Sequence, residues 1–268
     1  MPLLISGGDS FTWGSELGDE NDKSPSKFTW SALLANKLGY DYKCVAKPGC
    51  ANNTITRRVL QAVGEADTQD LFVAVMWTYT HRSEIRLRNA HPYNTIVHDS
   101  RLANQFGIDD YYINFNAWHG LSLDEKLSFF PNGLSDGQRK FFSEQHNKLT
   151  EIGVTQAADQ FYKITGDPIS HHIATAKEII LLQLFLSSKN IPYFFCCATN
   201  ELYDAQPQEV LSNACYQNID WNHWKVGVGF HNWSQQNNYA ISGNHPGKEA
   251  HSDWLDLCYP QISTCLKN

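Results

Sequence analysis

Two residues at opposite ends of the chain are of types that together perform nucleophilic chemistry. They are Ser10, in Gly8-Asp9-Ser10, and His245, in Asn244-His245-Pro246. A serine hydroxyl is a weak nucleophile until a neighbouring imidazole takes its proton, after which it attacks acyl carbonyls. The triplet follows the apolar run Leu3 to Gly7. Ser10 therefore falls at the carboxyl end of a strand, the edge where open α/β sheets bind ligands. A helix opening just after Ser10 aims backbone N–H groups at a developing oxyanion. Taken alone, Gly-Asp-Ser is also an ordinary turn with a serine cap. A loop histidine ahead of a terminal helix, held extended by Pro246, makes the pairing more specific.

A second serine competes. Gly133-Leu134-Ser135-Asp136-Gly137 matches the Gly-x-Ser-x-Gly nucleophile elbow, and His245 follows in the right order. That elbow requires a buried strand before it. Lys126 to Asn132 is too short and is interrupted by Pro131, so Ser135 reads as a turn residue. Asp19-Glu20-Asn21-Asp22 lacks the ligand spacing of a calcium loop and reads as a solvated acidic loop. His171 and His172 are adjacent at the start of a helix and point to different faces, which does not make a metal pair. No phosphate loop or dinucleotide fingerprint occurs, so neither cofactor nor metal is expected.

The elements that must position these residues are legible as runs and caps. Leu3 to Gly7, Leu71 to Trp77 and Ile191 to Ala198 read as buried parallel strands, with a weaker one at Tyr42 to Ala46. Helices are predicted at Thr29 to Leu38, ending at Gly39, and at Ile55 to Val63. Another runs from Ile173 to Leu186, with Asp167 as cap and Pro168 in the first position, and a last one covers Lys248 to Cys258. Alternating strands and helices imply one α/β domain, a three-layer α/β/α sandwich over a parallel sheet. Two long insertions, at about 86–165 and 201–243, are rich in aromatics and read as a cap over the sheet edge.

Bulk properties narrow the partners. The 268 residues carry a net charge of −7, which disfavours a nucleic acid or an anionic membrane surface. No apolar stretch approaches the roughly 20 residues of a membrane span. Neither a signal-peptide core nor a paired cysteine framework is visible among the seven cysteines. A reducing, cytoplasmic location and a small-molecule substrate are the expectation.

The motifs as a set resemble the SGNH (GDSL-type) hydrolase superfamily. Gly8-Asp9-Ser10-Phe11 is similar to the block that carries the nucleophile. Ala46-Lys47-Pro48-Gly49-Cys50-Ala51-Asn52-Asn53 is similar to the second block, whose glycine N–H helps form the oxyanion hole, here Gly49. His245-Pro246 is similar to the last block, whose histidine is the base; His251, six residues on, is expected to pack or hydrogen-bond at the start of the final helix. The resemblance implies a flavodoxin-like sheet and ester hydrolysis through an acyl-enzyme, with Ser10 and Gly49 N–H groups binding the oxyanion.

Two positions depart from the family pattern. Where the third block supplies an asparagine, Thr78 stands here, and its hydroxyl, or Arg82, could serve as a donor. Where an aspartate normally precedes the histidine by three residues, this chain has Ser242. Ser242, a backbone carbonyl, Asp204 or Asp220 would then orient His245. The aromatic insertions suggest a ring-bearing, carbohydrate-like alcohol and a small acyl group. The rival reading is a non-catalytic binding or structural protein that uses the aromatic cap.

Overall fold

The structure is a computed structural model that describes residues 1–21, 24–86, 112–115, 120–128, 135–151 and 153–267. β1 (Leu3–Gly7) leads into a one-turn helix, α1 (Ser10–Trp13). Next come α2 (Trp30–Leu38), β2 (Asp41–Cys44), α3 (Asn52–Gly64) and β3 (Leu71–Trp77). An antiparallel pair, β4 (Ser83–Arg86) with β5 (Tyr112–Phe115), and three helices follow: α4 (Leu123–Ser128), α5 (Asp136–Glu151) and α6 (Val154–Thr165). α7 (Pro168–Ser188) returns the chain to β6 (Tyr193–Cys197). The short helices α8 (Gln208–Leu211), α9 (Ala214–Gln217) and α10 (Phe230–Gln236) come next. A two-residue hairpin, β7 (Ile241–Ser242) with β8 (His245–Pro246), then precedes the long α11 (Lys248–Cys265).

The central sheet has the order β2-β1-β3-β6 and every pairing in it is parallel. Leu3 lies opposite both Asp41 and Leu71, and Val73 opposite Tyr193. The two-residue period of a strand divides its side chains between two faces. Ile5, Val73, Val75, Trp77 and Phe195 face α3 and α7, while Leu4, Phe72, Ala74, Met76 and Phe194 face α2 and α11. Each such fully buried side chain contributes about 1.5–3 kcal/mol. The result is the α/β/α sandwich that the alternation implied.

Local signals held where caps were strong. Thr29 accepts from Ala32 N (3.2 Å) at the start of α2, and Gly39 closes it. Asp167 accepts from Ile169 N and Ser170 N (both 3.2 Å), so α7 opens at Pro168, five residues before its apolar periodicity begins. β2 covers Asp41–Cys44 rather than Tyr42 to Ala46. Val45 N still pairs with Ser6 O (2.8 Å), and the chain then peels away. α11 runs seven residues past Cys258, through Pro260, because Ile262 and Cys265 continue its buried face. Cys196 and Cys197 are buried thiols on opposite faces of β6, and burial raises both, Cys197 to about 12.

The described parts of the insertions pack against the sandwich. In the first, β4 and β5 clamp the opening of α3. Asn114 Oδ1 accepts from Ala51 N (2.7 Å), and Glu84 pairs with Arg57 (2.7 Å). Tyr93, Phe106, Tyr111, Trp118, Phe129 and Phe130 lie outside the described residues. In the second, Trp224 packs edge-on against Phe195 (5.4 Å) and Phe230 against Trp254 (5.4 Å), both fully buried. Trp224 and Phe230 each complete one of the two core layers, while Tyr216, Trp221 and Trp233 remain half-buried. No helix among the described residues is long and apolar enough to cross a membrane.

Candidate active site

β1 lies between β2 and β3, whose connections leave it in opposite directions, so the crevice at its carboxyl end is the topological switch point of the sheet. Ser10 opens α1 at that end and is 9% exposed. Asp9 is fully buried and caps α1 through Oδ1, which accepts from Phe11 N (3.0 Å). Its Oδ2 accepts from Thr78 Oγ1 (2.5 Å), in the loop after β3, and from Arg82 Nη1 (3.0 Å). Arg82 Nη1 also reaches Cys50 O (3.3 Å), in the loop after β2. One buried carboxylate therefore ties together the three loops at the carboxyl edge.

This network decides the role of Thr78. A hydroxyl has one hydrogen, and Thr78 donates it to Asp9. It is not free to donate to an oxyanion. Thr78 and Arg82 instead hold the Asp9 carboxylate, and with it the turn that carries Ser10.

Gly49 lies in the loop after β2. Lys47 N donates to Gly8 O (3.1 Å), which fastens the second loop beside Ser10, and Cys50 N closes a turn onto Lys47 O (3.2 Å). Pro48 and Gly49 are its central residues, with Gly49 at φ +77°, the left-handed value a type II turn needs there. Among the described residues, neither Ser10 N nor Gly49 N donates a hydrogen bond.

His245 reaches the same edge. β8 packs against α1, and the Phe11 ring lies 5.2 Å from the imidazole centroid at a tilt of 58°. His231, at the start of α10, flanks Phe11 on another side (5.7 Å). Burial lowers the His231 pKa, with a smaller contribution from the charge of His245. His251 is buried and its Nδ1 accepts from Trp30 N (3.2 Å) at the head of α2. Burial, and then His245, push its pKa down to about 3, so it is a neutral structural group.

The orienting residue is where sequence and structure part. Ser242 is the cross-strand partner of His245, but its side chain is exposed and makes no hydrogen bond to the imidazole. Asp220 is committed to His223 (2.9 Å), and Asp204 is exposed. The carboxylate beside His245 belongs to Glu16, with Oε2 3.3 Å from Nδ1. Glu16 and His231 were missed by sequence reasoning. Glu16 lies three residues ahead of the acidic run 19–22 and matches no motif, and a histidine in an aromatic-rich insertion carries no positional signal.

Ser135 is exposed at the head of α5, and Lys126 to Ser128 upstream belong to helix α4, not to a strand. Ser10, Gly49 and His245 are thus gathered at one edge, and Ser135 precedes a helix of the insertion.

No protein-family model matches the chain, and no curated protein matches it. Among solved structures, the psychrotrophic esterase EstA from Pseudoalteromonas sp., in a crystal structure inhibited by monoethylphosphonate, aligns over 100% of both chains. The identity is 11% and the TM-score 0.44. A likeness at that level assigns neither family nor activity, so function must be read from the chain's own residues.

Proposed function

We propose that the chain is a serine esterase of the SGNH type, with Ser10 as nucleophile and His245 as base. The observation that carries this reading is the convergence of α1 and β8 at the switch point, with unengaged N–H groups of Ser10 and Gly49 beside it. Ser10 Oγ attacks the ester carbonyl while His245 Nε2 takes its proton. The two N–H groups hold the oxyanion, the role for which fixed donors contribute most. Collapse expels the alcohol, protonated by His245, and leaves an acyl-enzyme. Water, deprotonated by His245, then releases the acid and restores Ser10.

The substrate we infer is a small acyl ester, such as an acetate, of a carbohydrate-like alcohol. Support for the alcohol half is the aromatic content of the two insertions, of which Trp224 and Phe230 are taken up by the core. No cofactor or metal enters the mechanism, and the partner is the small-molecule ester alone.

Fluorophosphonate labelling tests the assignment, because only an activated serine reacts. Labelling of the wild type and its loss in Ser10→Ala, with Ser135→Ala still labelled, is the expected result. Labelling that survives Ser10→Ala and disappears in Ser135→Ala overturns it. An unreactive, stably folded wild type would support the rival binding protein instead.

A further inference from the structure

We propose that Glu16, six residues beyond the nucleophile, is the positioning carboxylate of His245. The proposal rests on the reading of Ser10 and His245 above. His245 Nδ1 is enclosed and has no hydrogen-bond partner among the described residues, yet Glu16 Oε2 stands 3.3 Å away. An enclosed imidazole N–H left unpaired costs about 1–3 kcal/mol. A small rotation of the Glu16 side chain supplies the bond.

The local backbone is built to deliver that carboxylate. Glu16 adopts φ +69°, a left-handed conformation that costs a non-glycine residue roughly 1–2 kcal/mol. Glu20 holds it there, accepting from Glu16 N (2.7 Å) and from Gly18 N (2.6 Å) with its two oxygens. Ser15 N returns to Ser10 O (3.0 Å), so the loop is fastened to the nucleophile's own carbonyl.

From the other side, the Glu16 carboxylate lies against Gly243, in the turn between β7 and β8. A Cβ there would come within 2.6 Å and 2.7 Å of its two oxygens. Glycine at 243 therefore opens the space the carboxylate occupies.

The chemistry follows from the atom it faces. A carboxylate at Nδ1 keeps that nitrogen protonated and leaves Nε2 unprotonated, the tautomer able to accept the Ser10 proton. It then stabilises the imidazolium that forms. The other titratable groups facing His245 are His231 from α10 and His251 from α11. Burial disfavours the charged form of both, which leaves Glu16 as the carboxylate beside the ring among the described residues. The Glu16 side chain is 42% exposed, so solvent screens part of its effect.

Glu16→Gln and Glu16→Ala test this, with p-nitrophenyl acetate as substrate and Ser10→Ala as control. The expected loss in kcat lies between about 10-fold and the roughly 10⁴-fold seen when a buried triad carboxylate is neutralised. KM should hold, because the carboxylate acts through the imidazole and not on the substrate. Wild-type kcat in both variants, with turnover still dependent on Ser10, overturns the role of Glu16 and leaves the esterase standing.

Imidazole 15N NMR of His245 in the Ser10→Ala background reads the pair without turnover. A neutral ring protonated at Nδ1 that loses this tautomer preference on adding Glu16→Gln supports the assignment, and an unchanged tautomer overturns it. Absence of Ser10-dependent turnover in the wild type overturns the esterase reading, and the tautomer then judges the pair by itself.

Discussion

Thr78 donates its hydroxyl hydrogen to Asp9 across 2.5 Å, joining the loop that follows β3 to the turn that carries Ser10. Asp9 is fully buried and Arg82 partly so, with the guanidinium 3.0 Å from the same carboxylate oxygen. The Asp of the Gly-Asp-Ser triplet is thus a bracket for the nucleophile turn, and the loops around it are held by charge as well as by backbone.

Breaking that bracket should unfold the edge before it alters chemistry. Removing one partner of a buried ion pair costs about 3–5 kcal/mol, because the other is left uncompensated. Arg82→Met should lower stability by that order in urea denaturation. A change within experimental error would mean that Thr78 and Phe11 N satisfy Asp9 by themselves.

Thr78→Val separates a structural hydroxyl from an oxyanion donor. Loss of an oxyanion-hole donor costs roughly 10²–10³ in kcat. With the hydroxyl bound to Asp9, Thr78→Val should destabilise the protein by about 1–2 kcal/mol while kcat falls less than about tenfold. A loss of several hundredfold at unchanged stability would restore Thr78 to the oxyanion hole.

Ser242 offers the converse test. Its side chain is exposed and unbonded to the imidazole, so Ser242→Ala should leave kcat within about twofold of wild type. A large loss would show that the serine, directly or through water, holds His245.

The pH dependence of stability should carry the signature of His251. Its folded pKa is about 3 against a free value of 6.5. As pH falls through 6.5 the unfolded chain takes up a proton that the folded chain refuses until near 3. The stabilisation is therefore complete above 6.5 and is lost progressively toward 3, at up to about 1.4 kcal/mol per pH unit. Between pH 6.5 and 4.5, His251→Gln should show a slope shallower by that amount in denaturant titrations. Equal slopes would mean that His251 does not titrate in this window.

Gly49 should resist substitution. Its φ of +77° is strained for any L side chain. Gly49→Ala should cost about 1–2 kcal/mol and, by displacing the N–H beside Ser10, lower kcat more than KM. If stability and kcat are both unchanged, the turn does not supply an oxyanion donor.

What the sequence by itself determined is what short-range physics encodes. The alternation in Leu71 to Trp77 divides its side chains between two packed faces. Asp167-Pro168 and Thr29 with Gly39 mark helix ends because a cap satisfies groups within three residues of itself. From strands alternating with helices, the parallel sandwich follows.

The surroundings of Ser10 and His245 were decided elsewhere. His251 meets Trp30 across 221 positions, Thr78 meets Asp9 across 69, and Glu16 meets a histidine near the other end of the chain. Such contacts have no period and no fixed spacing. They exist because the sheet order lays the ends of β1, β2 and β3 side by side, and because a non-glycine residue is held left-handed at position 16 by a carboxylate at 20. The aromatics of 201–243 were legible as aromatics, but whether a ring faces solvent or core depends on what the finished fold places over it. That choice belongs to tertiary packing.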